Sequence, residues 1–308
     1  MSGTPLPVPV GMTGVRTMDE QSHSATTRAT RGLAMKFLRM AFVDKQFRSA
    51  FDSFVAPDFI QHNPHIADGW EGHRAFFGRM AERLGDSADW HHVTDMVLAD
   101  GELFAVMHRV FRSPDDHGQI VVDLWRVADG KMVEHWDVIQ QMPRTMPHGN
   151  GMGSAVANDP VSAKAYRDSV EQPACGKPDA KVTREQSLAS YRAYVDEVAK
   201  GDVLGATETW LHPEYKQHSP VIADGKQGAI DYLMEEWGKK DAPNPILGPQ
   251  RIVAEGDFVL VHYLYSLEGV PGEEAHIDVF RFMDNKIVEH WDVKQKVPET
   301  TASGRAMW

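Results

Sequence analysis

Five pairs of side chains able to move a proton or hold a charge recur at matching places in this chain: His62/His218, Asp123/Asp278, Glu134/Glu289, His135/His290 and Asp137/Asp292. Asp137 and Asp292 close the motif E-H-W-D in what reads as a strand, where aspartate is depleted. A carboxylate buried there has its pKa raised and can exchange a proton with a carbon acid near neutral pH. The plainer alternative is an ion pair with a cross-strand Arg or His, or a place on an exposed edge. Asp123 and Asp278 sit in D-L-W-R and D-V-F-R, and alternation groups them with Trp125 and Phe280 on an apolar face. A carboxylate in such surroundings needs a partner, either a structural histidine or a polar group of a ligand.

His62 and His218 precede N-P and S-P in a loop. Histidine there is easily poised near neutral pH, or it fixes the loop by a hydrogen bond to backbone. His135 and His290 fall on the face of Asp137 and Asp292, with Trp136 and Trp291 on the opposite one. Both faces line one pocket only if a bulge intervenes. In the second copy the His/Asp face continues into Lys294 and Lys296, the pattern of a solvated face or an interface. Trp125, Trp136, Phe280 and Trp291 are the aromatic candidates for a pocket wall, or simply for core.

The 15 histidines invite a metal reading, but no H-E-x-x-H or paired-cysteine spacing occurs. His108 aligns with Tyr263 and His262 with Met107, so a one-residue slip places those two histidines on opposite faces. His62, His135, Asp123 and Asp137 are left as a possible ligand set. The sequence has no glycine-rich phosphate loop and no G-x-S-x-G elbow. Its one cysteine, Cys175, excludes an internal disulfide.

The elements that must position these residues are written twice. Residues 61–69 read QHNPHIADG and residues 217–225 read QHSPVIADG. Residues 121–143 and 276–298 share the D-x-(W/F)-R and K-(M/I)-VEHWDV strands, and the tails read GNGM at 149–152 and GRAM at 304–307. Each copy starts with helical spacing, at Ala25–Asp44 and Gln46–Val55 in the first and at Thr183–Lys200 and Val203–Leu211 in the second. The QH-x-P loop follows, then helices at Gly72–Leu84 and Gly228–Lys239, with Asp68 and Asp224 placed to cap them. The period then changes to two. Runs at His91–Ala99, Leu103–Arg112, Gln119–Val127 and Lys131–Gln141 are joined across turn signals. Helices followed by an antiparallel meander make an α+β domain, so two such domains stand in tandem. The boundaries expected are a mobile arm over 1–24, domains over 25–152 and 183–308, and a linker over 153–182 with a short helix at Ala163–Val170.

Composition narrows the function. Asp plus Glu number 44 against 32 Lys plus Arg, a formal charge of −12, which is a poor footprint for nucleic acid. No apolar run approaches the roughly 18 residues of a membrane span. The first two dozen residues lack the basic and apolar regions of a secretory signal, which points to the cytoplasm.

QHNPHIADG, the D-x-(W/F)-R strand and the VEHWDV strand together resemble the SnoaL-like polyketide cyclase family of the nuclear-transport-factor-2-like superfamily. The resemblance spans nearly all of 30–152 and 183–308. It implies two tandem cone-shaped α+β barrels, forming an intrachain pseudo-dimer and open to further homo-oligomerisation. It also implies cofactor-free acid/base catalysis on a small carbonyl-containing metabolite, as a cyclase, isomerase or lyase. Carried onto this chain, Asp137 and Asp292 would be the bases and His62 and His218 would polarise the carbonyl. Asp123 and Asp278 would orient a partner, with His135 and His290 beside the bases. Two departures stand out: the usual member is a single domain, and the strand that often carries paired histidines reads VMHRV in one copy and VHYLY in the other. The two pockets are therefore expected to differ. A non-catalytic pocket for an apolar metabolite, or a metal-dependent enzyme using the His/Asp set, are the competing readings.

Overall fold

The computed structural model describes residues 23–84, 91–112, 116–153, 179, 181–200, 203–237 and 245–308. The expected arm, apart from His23 and Ser24, and the short helix at Ala163–Val170 lie outside these residues.

The first copy runs α1 (His23–Leu38), a π-helical turn (Arg39–Val43), α2 (Phe47–Phe54), β1 (Val55–Gln61), α3 (Gly69–Leu84) and β2 to β5 (His91–Asp100, Leu103–Phe111, Gln119–Ala128, Lys131–Gln141). The second repeats the order with α4 (Arg184–Ala199), α5 (Val203–Trp210), β6 (Leu211–Gln217) and α6 (Gly225–Trp237). It continues with β7 to β10 (Pro245–Glu255, Phe258–Leu267, Val270–Met283, Lys286–Lys296). Both copies are α+β, as the order of periodicities implies.

Each copy builds one five-stranded sheet, in the orders β1-β5-β4-β3-β2 and β6-β10-β9-β8-β7. Four strands form the expected antiparallel meander. The fifth, β1 or β6, pairs in parallel with β5 or β10 and was not anticipated from sequence. It is short, and its proline and charged residues (VAPDFIQ, LHPEYKQ) interrupt any apolar alternation. Its place at the sheet edge explains why proline is tolerated there. This strand ends on Gln61 or Gln217, paired with His135 or His290, and so delivers the QH-x-P loop beside the middle of β5 or β10.

Local sequence enforces the turns. Asp129 and Gly130, and Asp284 and Asn285, adopt left-handed φ, the conformation that two-residue hairpins require. Thr183 and Gln186 form a capping box at the start of α4. Gly72 and Gly228 are fixed by contact, since a Cβ there would lie 2.2 Å from the carbonyl oxygen of Ala67 or Ala223.

The helices cover the concave side of each sheet. In the first copy Phe37, Phe51, Phe59 and Trp125 gather with Phe104 and Met132 in a continuous aromatic core. In the second, Tyr191, Tyr215, Phe282 and Ile287 do so with Leu188 and Leu211. Burying each such side chain contributes roughly 1.5–3 kcal/mol.

Contacts divide the chain into two compact units. One takes its described residues from Thr17–Met142 and Val297–Trp308, with Gly153; the other takes them from Pro143–Met152 and Pro178–Lys296. The GRAM tail is thus counted with the body of the first copy, and the GNGM tail with that of the second.

Candidate functional site

Asp123 and Asp137 stand directly opposite each other across β4 and β5, and Asp278 and Asp292 do the same across β9 and β10. The side-chain alternation of strands puts His135 and Trp125, or His290 and Phe280, on the same face as these carboxylates. That face lies beneath the helices, where Trp125 meets Phe37 and Phe51 and Phe280 meets Tyr191 and Tyr194.

In the first copy Asp123 lies between two imidazoles, His108 Nε2 at 2.9 Å and His135 Nε2 at 3.0 Å. Burial alone would raise its pKa, but the charge and hydrogen bonds of the two histidines hold it well below the usual carboxylate range. His135 Nδ1 faces Gln61 Oε1 at 2.9 Å, so both of its ring nitrogens meet oxygen partners. Gln61 donates in turn to His73 Nδ1 at 2.9 Å. Burial, and then the charge of His135, depress the pKa of His73 far below normal, which suits a ring accepting at Nδ1. Asp137 accepts from Asn63 Nδ2 at 2.5 Å, while its Oδ1 has no hydrogen-bond partner among the described residues. Burial, reinforced by Asp123, outweighs the charge of His135 and pushes Asp137 up to about 6.

The second copy keeps the plan and changes the parts. Tyr263 replaces His108 and donates to Asp278 Oδ2 at 2.5 Å. His290 faces Asp278 at 3.3 Å and Gln217 Oε1 at 3.1 Å. Burial would raise Asp278, yet His290 holds it below its ordinary value. Gln217 Nε2 donates to Tyr215 Oη at 2.8 Å, leaving the hydroxyl hydrogen of Tyr215 for another acceptor. Burial, with nearby tyrosines and carboxylates adding to it, pushes Tyr215 well above its ordinary value and keeps it protonated. Lys294 pairs with Asp292 Oδ2 at 2.9 Å. Burial alone would lower the lysine, but Asp292 raises it, so it stays an ammonium. Asp292 Oδ1 has no partner among the described residues.

These groups line a cavity of about 380 Å³ together with Tyr194, Tyr232, Tyr265, His276 and Phe280. Sequence reading put Lys294 on a solvated or interface face. It lines this cavity instead, drawn to Asp292 on the same strand face.

His62 and His218 are not brought to these carboxylates. His62 stacks on Trp136, with centroids 5.0 Å apart, and bonds Glu134 at 3.0 Å and the carbonyl of Ala306 at 2.6 Å. His218 stacks on Trp291 at 4.5 Å and bonds Glu289 at 3.0 Å and the carbonyl of Gly151 at 2.6 Å. Trp136 and Trp291 lie on the face opposite Asp137 and Asp292, so these two tryptophans are not cavity wall. Each histidine fixes a tail to the body of its unit, which is the loop-fixing alternative. Of the ligand set read from sequence, His62 is thereby separated from His135, Asp123 and Asp137, and His108 stands in its place. Trp125 packs against His135 with centroids 4.0 Å apart and belongs to the core, whereas Phe280 lines the second-copy cavity. His108 and Tyr263 occupy the same place, as their alignment implies, and His262 does not.

Sequence reasoning missed Gln61, Gln217, Tyr215 and Lys294. The glutamines carried a signal, since both copies keep them beside the histidine. Lys294 carried a misleading one.

The fold and the paired carboxylates define an α+β domain with a polar group held inside a cupped sheet, present twice. The model of the SnoaL-like domain matches residues 35–135 and 191–290, and the chain belongs to that family in two tandem copies. No curated protein matches it in sequence. Among solved structures, TsrD from Streptomyces laurentii is 18% identical, with 40% of this chain and 92% of that chain covered and a TM-score of 0.30. A SnoaL-like polyketide cyclase from Agrobacterium tumefaciens is 15% identical, with 35% and 91% covered and a TM-score of 0.30. An NTF2-like protein of unknown function from Mesorhizobium loti is 15% identical, with 40% and 97% covered and a TM-score of 0.32. No helix among the described residues is long and apolar enough to cross a membrane.

Proposed function

We propose that the second-copy cavity is the catalytic site of a cofactor-free acid/base enzyme acting on a small carbonyl compound, with Asp292 as the base. The observation that carries this reading is the Asp292 carboxylate on the cavity wall: Lys294 neutralises one oxygen and the other has no partner among the described residues. Membership of the SnoaL-like family supports the reaction class.

In this mechanism Asp292 Oδ1 removes a proton from the carbon next to the carbonyl. Lys294 pairs with the carboxylate at Oδ2 and fixes its orientation. Negative charge grows on the carbonyl oxygen, and the Tyr215 hydroxyl, oriented by Gln217, donates to it. Preorganised donors of that kind stabilise an enolate without reorganising at the moment of reaction. His290, fixed between Asp278 and Gln217, forms part of the same wall. The proton returns from Asp292 to a different carbon in an isomerisation. In an aldol closure, the enolate carbon attacks a second carbonyl, whose oxygen takes the proton that Asp292 removed. The cavity volume suits a metabolite of modest size rather than a polymer.

The test is proton exchange at carbon. Incubating the full chain with a panel of 1,3-dicarbonyl compounds in D2O and following the α-proton by NMR reads the first step without knowledge of the natural product. Exchange faster than buffer that is lost in Asp292→Asn supports the reading. Exchange that persists in Asp292→Asn, or no exchange across the panel, counts against it.

A further inference from the structure

The first copy has a second arrangement of donors that acid/base chemistry in the second copy does not use. One ring nitrogen of His135 and one oxygen from each of Asp123 and Asp137 all lie within 4.8 Å of one another. An ion with bonds of about 2.0–2.2 Å holds ligand atoms no more than about 4.4 Å apart, so small side-chain shifts close this set around one ion. His108 adds a second imidazole 2.9 Å from Asp123. Three adjacent strands, β3, β4 and β5, supply the four groups, so the set rests on rigid backbone.

The hydrogen bonds that orient metal ligands from behind are already in place. His135 turns Nδ1 to Gln61 and Asp137 turns Oδ2 to Asn63, which leaves His135 Nε2 on Asp123 and Asp137 Oδ1 without a partner among the described residues. Metal-bound histidines are commonly fixed through their far nitrogen in this way. Asp137 is only 4% exposed, and its Oδ1 is a buried oxygen without a partner among the described residues. A buried polar atom left so is costly.

The second copy supplies the comparison. There Lys294 pairs with Asp292 as a cation built into the chain. Ile139 occupies the matching position of β5, and Tyr263 replaces the extra imidazole of His108. The first copy therefore has more nitrogen donors and no lysine at the place where its sister carries one.

We propose that Asp123, His135 and Asp137 bind one divalent transition metal of the zinc or cobalt type, with His108 moving in from beside Asp123 as the fourth donor. Two imidazoles and two carboxylates suit such borderline ions better than calcium or magnesium. Binding displaces the Nε2 protons that now reach Asp123. The ion enters past Asp123, whose side chain is 14% exposed. This site is separate from the acid/base cavity, so either assignment stands without the other.

The test uses untagged full-length chain, stripped with a chelator and dialysed, then titrated with Co2+ while metal content and visible absorption are followed. One equivalent per chain, with the d–d band of a four- or five-coordinate nitrogen/oxygen site and competition by Zn2+ but not Mg2+, is expected. Asp137→Asn weakens binding at least about tenfold. Ile139→Lys and His108→Tyr, which import the residues of the second copy, abolish or weaken it, with circular dichroism confirming the fold. No uptake at 100-fold excess of a ~1 μM site, or uptake unchanged in Ile139→Lys and His108→Tyr, overturns the proposal.

Discussion

Lys294 and Asp292 form a 2.9 Å ion pair inside the cavity of the second copy, and the first copy carries Ile139 where that lysine stands. The duplicated carboxylates thus sit in unlike electrostatic surroundings. One is balanced by the chain itself. Among the described residues the other accepts only from Asn63 and stands opposite Asp123, and burial pushes it up to about 6.

Replacing Lys294 by Met leaves Asp292 buried without its counter-charge. The pair is partly exposed, so the expected loss is about 2 kcal/mol, between that of a surface pair and that of a fully buried one. Urea denaturation of the variant reads this loss, and proton exchange at carbon falls with it. A variant as stable as the parent would show that the lysine does not balance Asp292.

Gln217 is the hub of the same wall. It accepts from His290 Nδ1 and the backbone N–H of Ser219 and donates to Tyr215. Gln217→Leu leaves those buried groups unpaired, at a cost of about 1–3 kcal/mol. It also lowers the exchange rate more than it weakens binding of a carbonyl ligand. Equal losses in rate and in binding would reduce Gln217 to a structural role.

The tail clamp is sensitive to acid. Burial would raise Glu289, but its hydrogen bonds and charge pairing with His218 and Arg281 hold it below its ordinary value of 4.5. A depressed carboxylate contributes stability that is fully present above the unfolded value and is lost as pH falls through the folded one. The Tm difference between the parent and Glu289→Gln is therefore expected to be constant above about pH 5 and to close as the pH drops below 4. A difference that grows on acidification would contradict the pairing.

His218 separates clamp from catalyst. As a clamp, His218→Phe keeps the stack on Trp291 and loses the bonds to Glu289 and Gly151, costing about 1–3 kcal/mol. It also exposes residues 148–152 to limited proteolysis. Its exchange rate stays within tenfold of the parent. A hundredfold loss of rate would return His218 to the role of carbonyl polariser.

Much of this was legible in the residues. The duplication showed in QHNPHIADG and VEHWDV, and the α+β order showed in the change of period after Leu84 and Trp237. Alternation correctly set Trp136 and Trp291 apart from Asp137 and Asp292, and the mismatch of His108 with His262 correctly separated those histidines. Three things stayed hidden for physical reasons. Strand parity tells which residues share a face but not which face a curved sheet encloses, so Lys294 read as solvated. β1 and β6 are edge strands whose proline and charges hide their pairing. The destination of His62 depends on a carbonyl 244 residues away, a distance no local pattern spans.

The most direct measurement is the rate of deuterium exchange at the α-carbon of a 1,3-dicarbonyl compound, compared between the parent, Asp292→Asn and Asp137→Asn. General base catalysis contributes about 10²–10⁴-fold, so Asp292→Asn is expected to lose at least a hundredfold while Asp137→Asn keeps most of the rate. Full activity in Asp292→Asn, or loss confined to Asp137→Asn, would contradict the assignment of catalysis to the second-copy cavity.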